Sequence, residues 1–289
     1  MNHLIIVINY NNYIDTINCV NSLIKLKGNK KILIFDNNST NNAQEILKKE
    51  FINNDNILFC FSDKNLGYSK GIDYAFNYIK EQNIDVDFIH TSNSDIIIND
   101  LDFLKKVEES YKKTKFFMEG PQVITNGVNT SPIGYFKSKD DFFKELKKLR
   151  ILAVCLYLFS TITFNLFENK LEGKNNESNA KKTIEKIKTE NVVPILSGCY
   201  TIFSKDHFLK FDYLYRPLTF LYNEEMTITY TLMNENIDKI IFNENLEVIH
   251  NHGGSSKGSS KRKAKLIFKN CNKLLKLKDQ NGIFFNIKL

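Results

Sequence analysis

The sequence predicts an α/β fold in which helices connect the strands of a parallel sheet. Hydrophobic residues make up 42% of the 289-residue chain and charged residues 25%, which is the balance of a folded globular protein. In the first half, short apolar runs alternate with segments of helical pattern, and Asn, Asp or Gly bound the runs. Such runs are typical of strands buried on both faces, and the segments between them are long enough for parallel crossovers.

Four strand–helix pairs make up this first half. The strands are predicted at 4–8, 32–35, 57–61 and 86–90, and the helices at 14–26, 43–51, 68–79 and 101–111. Regular structure resumes at Pro194 with a strand at 195–203 that is interrupted at Ser197-Gly198. Asn223 is predicted to cap a helix at 224–234, and two further strands follow at 240–242 and 246–250.

Residues 136–191 form a variable, partly hydrophobic insertion in this pattern. A Lys-rich amphipathic stretch, 137–150, leads into an apolar stretch, 151–167, that Ser, Thr and Asn interrupt. Because a membrane-spanning helix needs roughly 20 predominantly apolar residues, we expect an interfacial or a buried helix there. The polar residues 170–190 predict either a mobile loop or a solvated helix.

The C-terminal segment, 257–289, is predicted to lie outside the main domain, 1–256. Its residues 257–278 carry nine Lys or Arg and no acidic residue. Two interpretations stay open: a basic amphipathic helix that attaches the protein to an anionic membrane surface, or a helix that packs its apolar face on the domain.

Charge and cysteine content narrow the function classes. The formal charge is +7, but no nucleic-acid-binding motif accompanies it, so we expect no specific nucleic-acid partner. The five cysteines are scattered and never spaced as C-x-x-C, which argues against a disulfide framework or a structural zinc site. The first residues predict a buried strand and not a signal peptide, so we expect a cytoplasmic protein, free or peripheral on the inner face of the plasma membrane.

Polar clusters follow the four predicted strands of the first half. They are Asn9-Tyr10-Asn11-Asn12, Asp36-Asn37-Asn38-Ser39, Ser62-Asp63-Lys64-Asn65 and Ser92-Asn93-Ser94-Asp95. Any one of them can be a turn or a helix cap. In a parallel sheet, however, the carboxyl ends of the strands lie at one edge, where ligands bind. Four clusters at that edge predict a binding site.

Seven short motifs occur in a characteristic order. They are Val7-Ile8-Asn9-Tyr10-Asn11, Ile34 through Thr40, Asn65-Leu66-Gly67-Tyr68, Asn93-Ser94-Asp95, Leu196-Ser197-Gly198-Cys199, Tyr222-Asn223-Glu224-Glu225 and Val248 through Ser256. This series resembles that of family 2 glycosyltransferases, and most of all their bacterial rhamnosyltransferase-like branch. The resemblance covers about residues 4–135 and 194–256. It implies a GT-A fold, a mixed sheet flanked by helices, and an inverting transferase with a nucleotide-diphosphate-sugar donor.

The resemblance assigns donor contacts to residues in all four clusters. Asp36 takes the position of an acid that accepts a hydrogen bond from the imide N–H of uracil or thymine. The further residues expected at the donor nucleotide are Asn9, Tyr10, Asn11, Asn38, Asp63, Asn65, Gly67 and Asn93. Ser197 and Gly198 are expected beside the donor sugar or acceptor, although Ser197-Gly198 can also be a bulge in a strand.

A divalent metal, Mg²⁺ or Mn²⁺, is the implied cofactor. Asn93-Ser94-Asp95 resembles the family's D-x-D motif in an N-x-D variant, so Asp95 is the expected ligand. One carboxylate is chemically sufficient when the diphosphate supplies further oxygens. His250 and His252 are also expected near the metal and the diphosphate, where the following Gly-Ser loop can contact phosphate through its N–H groups.

Glu224-Glu225 resembles the family's Glu-Asp motif, whose second acid is the expected base. Glu225 replaces the usual Asp, and one added methylene leaves open whether Glu225 or Glu224 acts. Their place at a helix start predicts that both carboxylates are held ionised. Both can also merely stabilise the first helical turn.

Together these observations predict a metal-dependent hexosyl- or deoxyhexosyltransferase. We expect it to move a sugar from a UDP- or dTDP-sugar to a glycan or lipid-linked glycan of a bacterial surface polysaccharide such as a capsule, O-antigen or lipooligosaccharide. Two alternatives stay open. Asn93 and Glu225 depart from the motifs, which is compatible with a non-catalytic glycosyltransferase-like binding protein. A nucleotidyltransferase is disfavoured because no Gly-rich phosphate loop with basic residues follows the first strand.

Overall fold

The computed structural model describes residues 1–159, 164–251 and 260–279. The strands are β1 (His3–Asn9), β2 (Lys30–Asp36), β3 (Ile57–Phe61), β4 (Phe88–Asn93), β5 (Ile96–Ile97), β6 (Met118–Thr125), β7 (Val128–Asn129), β8 (Gly134–Phe136), β9 (Val193–Ile195), β10 (Tyr200–Ser204) and β11 (Ile240–His250). The helices are α1 (Tyr13–Ile24), α2 (Ala43–Phe51), α3 (Ser69–Glu81), α4 (Phe103–Thr114), α5 (Lys139–Phe159), α6 (Phe164–Thr189), α7 (Lys205–Lys210), α8 (Glu224–Asn234) and α9 (Ser260–Asp279).

A mixed sheet forms the centre of the protein, which confirms the predicted fold class. Its order is β3-β2-β1-β4-β10-β6-β11-β5, with β7 beside β6. β1 to β4 are parallel to one another, whereas β10 runs antiparallel to both β4 and β6. The four predicted strand–helix pairs are all present. Their carboxyl ends meet at one edge, where the polar clusters lie.

The core covers both faces of this sheet. Along β1, Ile5 and Val7 join one hydrophobic cluster while Leu4 and Ile6 join another, and all four are fully buried. Successive side chains of a strand point to opposite faces, so an unbroken apolar run needs helices on both sides. The apolar run that predicted β1 is therefore explained by its central position in the sheet.

The insertion between β8 and β9 is helical. α5 packs against α8, where Phe142 stacks on Tyr230 with ring centroids 4.4 Å apart. α9 packs against the same cluster and buries Cys271 and Leu274 completely. Of the two interpretations of the C-terminal segment, packing of its apolar face on the domain is therefore what the structure shows. Within the described residues, no helix combines the length and the apolar character that crossing a membrane requires.

Three strand predictions differ from the structure. The interrupted strand predicted at 195–203 is two strands, β9 and β10, of which β9 pairs with β8 in a separate two-stranded sheet and β10 lies in the main sheet. β6 was not predicted, because Gly120, Pro121 and the buried Glu119 interrupt its apolar pattern. The two strands predicted at 240–242 and 246–250 are one strand, β11, whose pairing with β6 shifts register between Asn243 and Glu247. A bulge of this kind places polar residues inside a continuous strand.

Candidate active site

The ends of β1 and β2 are joined through Asp36. Asn9 lies opposite Asp36 in the sheet and donates to its carboxylate over 2.6 Å, and both side chains are fully buried. Ser39 donates through its backbone N–H at 2.9 Å and its hydroxyl at 2.6 Å, and Gln44 through its amide at 3.1 Å. These four bonds match the four lone-pair positions of a carboxylate. Asp36 thus organises the surrounding loop, with Ser39 and Gln44 as its neighbours on the helix side.

The loops after these two strands interlock. The Asn11 N–H donates to the Ser39 hydroxyl at 2.8 Å, and the Asn11 side chain accepts from the Thr40 N–H at 2.7 Å. Asn11 and Asn38 both have left-handed backbones, with φ of 55° and 63°. Asn tolerates this conformation better than most residues, so both positions shape the loop. Tyr10 and Asn38 are partly buried beside it.

The loop before α3 is held from two sides. Asn37 accepts from the Leu66 N–H at 2.8 Å and donates to the Gly67 carbonyl at 2.9 Å. Gly67 also donates to the Asn65 side chain at 2.9 Å. Gly67 has a φ of +77°, and a Cβ there would lie 2.0 Å from the backbone oxygen of Phe220. Only glycine fits this position.

Asp63, a predicted donor contact, is exposed in the loop that follows β3. Asn93 is partly buried at the end of β4, and its N–H donates to the Cys199 carbonyl at 2.9 Å. The predicted donor residues therefore extend along the edge from β3 to β10.

Asp95 and His250 meet because β5 pairs with the end of β11. In this pairing His250 lies opposite Ile96, the residue after Asp95. His250 Nε2 is 3.2 Å from Asp95 Oδ1, and the side chains are 15% and 11% exposed. The Asn251 N–H also donates to the Asp95 backbone carbonyl at 2.9 Å. His252 and the Gly-Ser loop that follows it lie outside the described residues.

This pair has suitable donor atoms for a divalent cation. A carboxylate oxygen and an imidazole nitrogen are both ligands of Mn²⁺, and the carboxylate suits Mg²⁺. Among the described residues, no group of three or more His, Cys, Asp or Glu side chains forms a complete metal site. A cation held by Asp95 and His250 would therefore need oxygens from another source, such as a diphosphate.

Glu225 lies against the loop between β9 and β10. The Gly198 N–H donates to its carboxylate, and a Cβ on Gly198 would lie 2.4 Å from Glu225 Oε1. Tyr68 donates to the Gly198 carbonyl at 2.5 Å, and Ser197 Oγ is 3.2 Å from Cys199 Sγ. The absence of a side chain at Gly198 thus makes the space that the carboxylate of Glu225 occupies.

Burial raises the pKa of both Glu224 and Glu225, and mutual repulsion raises that of Glu224 further. This is opposite to the ionising effect expected from the helix start, because desolvation outweighs the helix dipole here. Asn223 also has a left-handed backbone and makes no side-chain cap. The two acids differ in access: Glu224 is 4% exposed and its Oε1 has no hydrogen-bond partner among the described residues, whereas Glu225 is partly exposed.

Cys199 links the two halves of the site. Burial raises the pKa of its thiol to about 12, and the nearby charges of Asp95 and Glu225 contribute in the same direction. Both carboxylates therefore lie close to one buried thiol. Sequence reasoning did not assign a role to Cys199, Ser39, Gln44 or Asn37. Ser39 had a detectable signal, since Asp side chains commonly accept hydrogen bonds from groups a few residues further along the chain.

A cavity of about 470 Å³ is lined by residues of β8, α5, α6 and β9 and by one residue of α8. Its lining includes Met226, which follows Glu225, and Ile195 from β9. Lys144, Lys148 and Lys182 contribute positive charge from α5 and α6, and Asp141 and Glu145 contribute negative charge from α5. The insertion therefore builds one wall of a charged cavity on the side of α8 where Met226 lies.

The sheet order and the acids at its carboxyl edge define a GT-A type nucleotide-sugar transferase fold. The chain belongs to glycosyl transferase family 2, whose family profile matches residues 4–211. Comparison with curated proteins gives no significant match.

Two solved glycosyltransferase folds are similar over nearly the whole chain. S. aureus TarS 1–349 is 15% identical, with a TM-score of 0.54, over 100% of this chain and 76% of that one. The mannosyltransferase PcManGT from Pyrobaculum calidifontis, in complex with GDP-Man and Mn²⁺, is 9% identical, with a TM-score of 0.55, over 97% and 76%. Against a longer TarS structure, the chain spans 46% of that protein. These similarities establish the shared fold.

Proposed function

We propose that the protein is an inverting glycosyltransferase that uses a nucleotide-diphosphate sugar. The observation that carries this proposal is the placement of Glu225 against Gly198, with its carboxylate and that of Asp95 both close to the Cys199 thiol. One carboxylate is thereby available to an acceptor hydroxyl, and a second carboxylate with His250 is available to the diphosphate. Family membership and fold support the same class of reaction.

Glu225 is the proposed base, and Glu224 supports the helix start. Glu225 is partly exposed and is positioned by the Gly198 N–H, whereas Glu224 is almost completely buried. In the proposed reaction, Glu225 takes the proton of the acceptor hydroxyl while that oxygen bonds to the anomeric carbon. The bond from that carbon to the diphosphate breaks on the opposite face, so one displacement inverts the configuration.

Asp95 and His250 would hold Mg²⁺ or Mn²⁺ together with the donor diphosphate, and His252 is proposed to adjoin them. Such a cation neutralises charge that develops on the departing diphosphate. The Asp95 and His250 side chains keep small exposed fractions that a diphosphate can reach. The chain itself supplies the carboxylate and the imidazole.

The nucleotide is proposed to bind at the ends of β1 to β4. Support comes from the connected loops: Asn9 and Ser39 bond to Asp36, Asn11 bonds to Ser39, and Asn37, next to Asp36, bonds to Gly67. Because the carboxylate of Asp36 already has four donors, an imide N–H would have to replace one of them, and Gln44 makes the longest of these bonds. UDP and dTDP donors are both compatible with this recognition.

We propose a glycan or lipid-linked glycan of a bacterial surface polysaccharide as the acceptor. The cavity lined by Met226 is the proposed acceptor side, because α8 carries both Met226 and Glu225 and the insertion builds much of the lining. A rhamnosyl or other deoxyhexosyl donor also belongs to this proposal.

A donor panel tests the proposal. Purified protein is incubated with Mn²⁺ and individual UDP- and dTDP-sugars, and nucleoside diphosphate release is measured. We expect release from one donor, its loss in Asp95→Ala, and its retention in the control Asp102→Ala, an exposed acid paired with Lys27. If no donor is turned over and no nucleotide raises the melting temperature, the proposal is wrong and the non-catalytic alternative is favoured.

A further inference from the structure

The distal half of α5 exposes an unusual number of large apolar side chains. The α5 apolar patch consists of Ile151, Leu152, Val154, Tyr157 and Leu158, with exposed fractions of 63%, 52%, 41%, 50% and 62%. Single exposed apolar residues are normal, but five within eight positions of one helix are not. These residues therefore form a contiguous surface that water contacts unfavourably.

The character of α5 changes along its length. In its first half, Phe142 and Leu146 face the core, and the exposed positions are charged, such as Lys144, Lys147 and Lys148. In the second half, Ala153 continues the buried side, but the exposed side becomes apolar. A helix segment that is apolar all round is expected to be embedded. The described residues cover only one side of it.

α9 adds positive charge beside this patch. Arg150, directly before the patch, donates to Asn272 of α9 at 3.5 Å. The apolar side of α9 is already used against the domain, since Cys271 and Leu274 are fully buried. Its exposed side carries Lys261, Arg262, Lys265, Lys269, Lys273 and Lys276. Over the whole of α9 the sequence has a single acidic residue, Asp279.

We propose that the α5 apolar patch and the exposed basic side of α9 together dock the protein on an anionic lipid bilayer. A second copy is a poorer occupant, because two such basic surfaces repel each other. A bilayer offers apolar chains to α5 and anionic headgroups to α9 at the same time. The patch spans about 12 Å along the helix, far less than the roughly 30 Å bilayer core, so it lies in the interface.

This arrangement differs from a simple amphipathic tail. Here α5 supplies the inserted apolar residues and α9 supplies the charge. Because Phe142 of α5 stacks on Tyr230 of α8, the docking surface is joined through packed side chains to the helix that begins with Glu224 and Glu225. Docking would thereby place the catalytic helix near a membrane-bound acceptor. The docking proposal itself does not depend on the proposed donor chemistry.

Cys155 provides a direct probe, because it lies within the patch and is exposed, whereas the other four cysteines are buried. The protein is labelled there with an environment-sensitive fluorophore such as NBD. We expect a blue shift and increased emission with vesicles containing one third phosphatidylglycerol, and little change with pure phosphatidylcholine. Raising salt from 0.1 M to 1 M shortens the Debye length from about 10 Å to about 3 Å and should weaken the signal.

Flotation of unlabelled protein with the same vesicles provides the matched comparison. The variant Ile151→Ser/Leu152→Ser/Leu158→Ser should bind about tenfold or more weakly. The control Ile52→Ser/Leu209→Ser should bind like the wild type, because Ile52 and Leu209 are 70% and 79% exposed but lie on other elements. Lys265→Glu/Lys269→Glu should also lose binding to anionic vesicles. Thermal melting verifies that each variant is folded.

Three results would overturn the proposal. The first is the absence of binding by folded wild-type protein to anionic vesicles at low salt. The second is equal binding by the patch variant and the Ile52/Leu209 control. The third is a concentration-dependent dimer in light scattering that the patch variant abolishes while vesicle binding is unchanged, since this would assign the patch to a second copy.

Discussion

The substitution Gly198→Ala would test the position of Glu225 most sharply. The added Cβ would lie 2.4 Å from Glu225 Oε1, whereas ordinary van der Waals contact begins at 3.4 Å. The carboxylate would have to move by the difference, 3.4 − 2.4 = 1.0 Å. Gly198 does not have a positive φ, so alanine causes no backbone strain there. The end of a flexible side chain can move, so we expect the fold to persist with a displaced base.

A displacement of this size has a large catalytic effect. Misplacement of a reacting group by about 1 Å costs roughly 100-fold in rate, or about 2.7 kcal/mol of activation free energy. We therefore expect kcat to fall by about two orders of magnitude, with the donor KM and the melting temperature little changed. Initial rates of nucleoside diphosphate release at varied donor concentration measure both parameters.

Gly134→Ala is the matched control. A Cβ there would have as its nearest atom Ile195 Cδ1 at 3.5 Å, an ordinary contact, and Gly134 also lacks a positive φ. This variant should retain the wild-type kcat. If Gly198→Ala also retains it, the carboxylate of Glu225 does not act from its position against Gly198, and the reasoning is refuted.

Two predictions concern stability. Gly67→Ala should lower the free energy of unfolding by about 2 kcal/mol or more, because its Cβ would lie 2.0 Å from the Phe220 backbone oxygen. Gly127 also has a positive φ, but a Cβ there would have no atom within 4 Å, so Gly127→Ala should lower the free energy of unfolding by less. Equal losses in urea unfolding would contradict this. Burial lowers the pKa of His3 to about 4 in the folded state, from 6.5 in the unfolded state. Between these two values the unfolded state binds more protons than the folded state, so the free energy of unfolding decreases as pH falls. From about pH 7.5 to 5 this decrease is about 2 kcal/mol. Burial also raises the pKa of Glu119 to about 7, which acts with the opposite sign, so the loss is measured as wild type minus His3→Gln. No difference in pH dependence between these two proteins would refute the assignment.

The sheet was predictable wherever local pattern and tertiary position agree. α2 and α8 have the predicted bounds, Ala43–Phe51 and Glu224–Asn234, because each begins directly after an Asn, and in α2 the buried residues also recur at helical spacing. β6 was not predictable, because its burial depends on pairing with β10 and β11, which come much later in the chain. Strand pairing between such distant segments produces no recognisable pattern in the local sequence.

The candidate site shows the same limit. The order of motifs predicted which residues lie at the carboxyl edge, and Asn9 and Asp36 are indeed paired there. The contact between Gly198 and Glu225 depends on how α8 returns to the sheet. The direction of the pKa shift of Glu225 was wrong at the sequence level, because a helix start is visible in a sequence and desolvation is not. Its assigned role as base stays a prediction.

The most direct test of the central claim compares Glu225→Gln with Glu224→Gln on the donor that the panel identifies. Sugar transfer or donor hydrolysis is measured as nucleoside diphosphate release in the presence of Mn²⁺. Our account predicts that Glu225→Gln loses at least 100-fold in kcat, the lower range for a removed general base, while the folded Glu224→Gln retains most of it. Near-normal turnover by Glu225→Gln would contradict the assignment of Glu225 as the base.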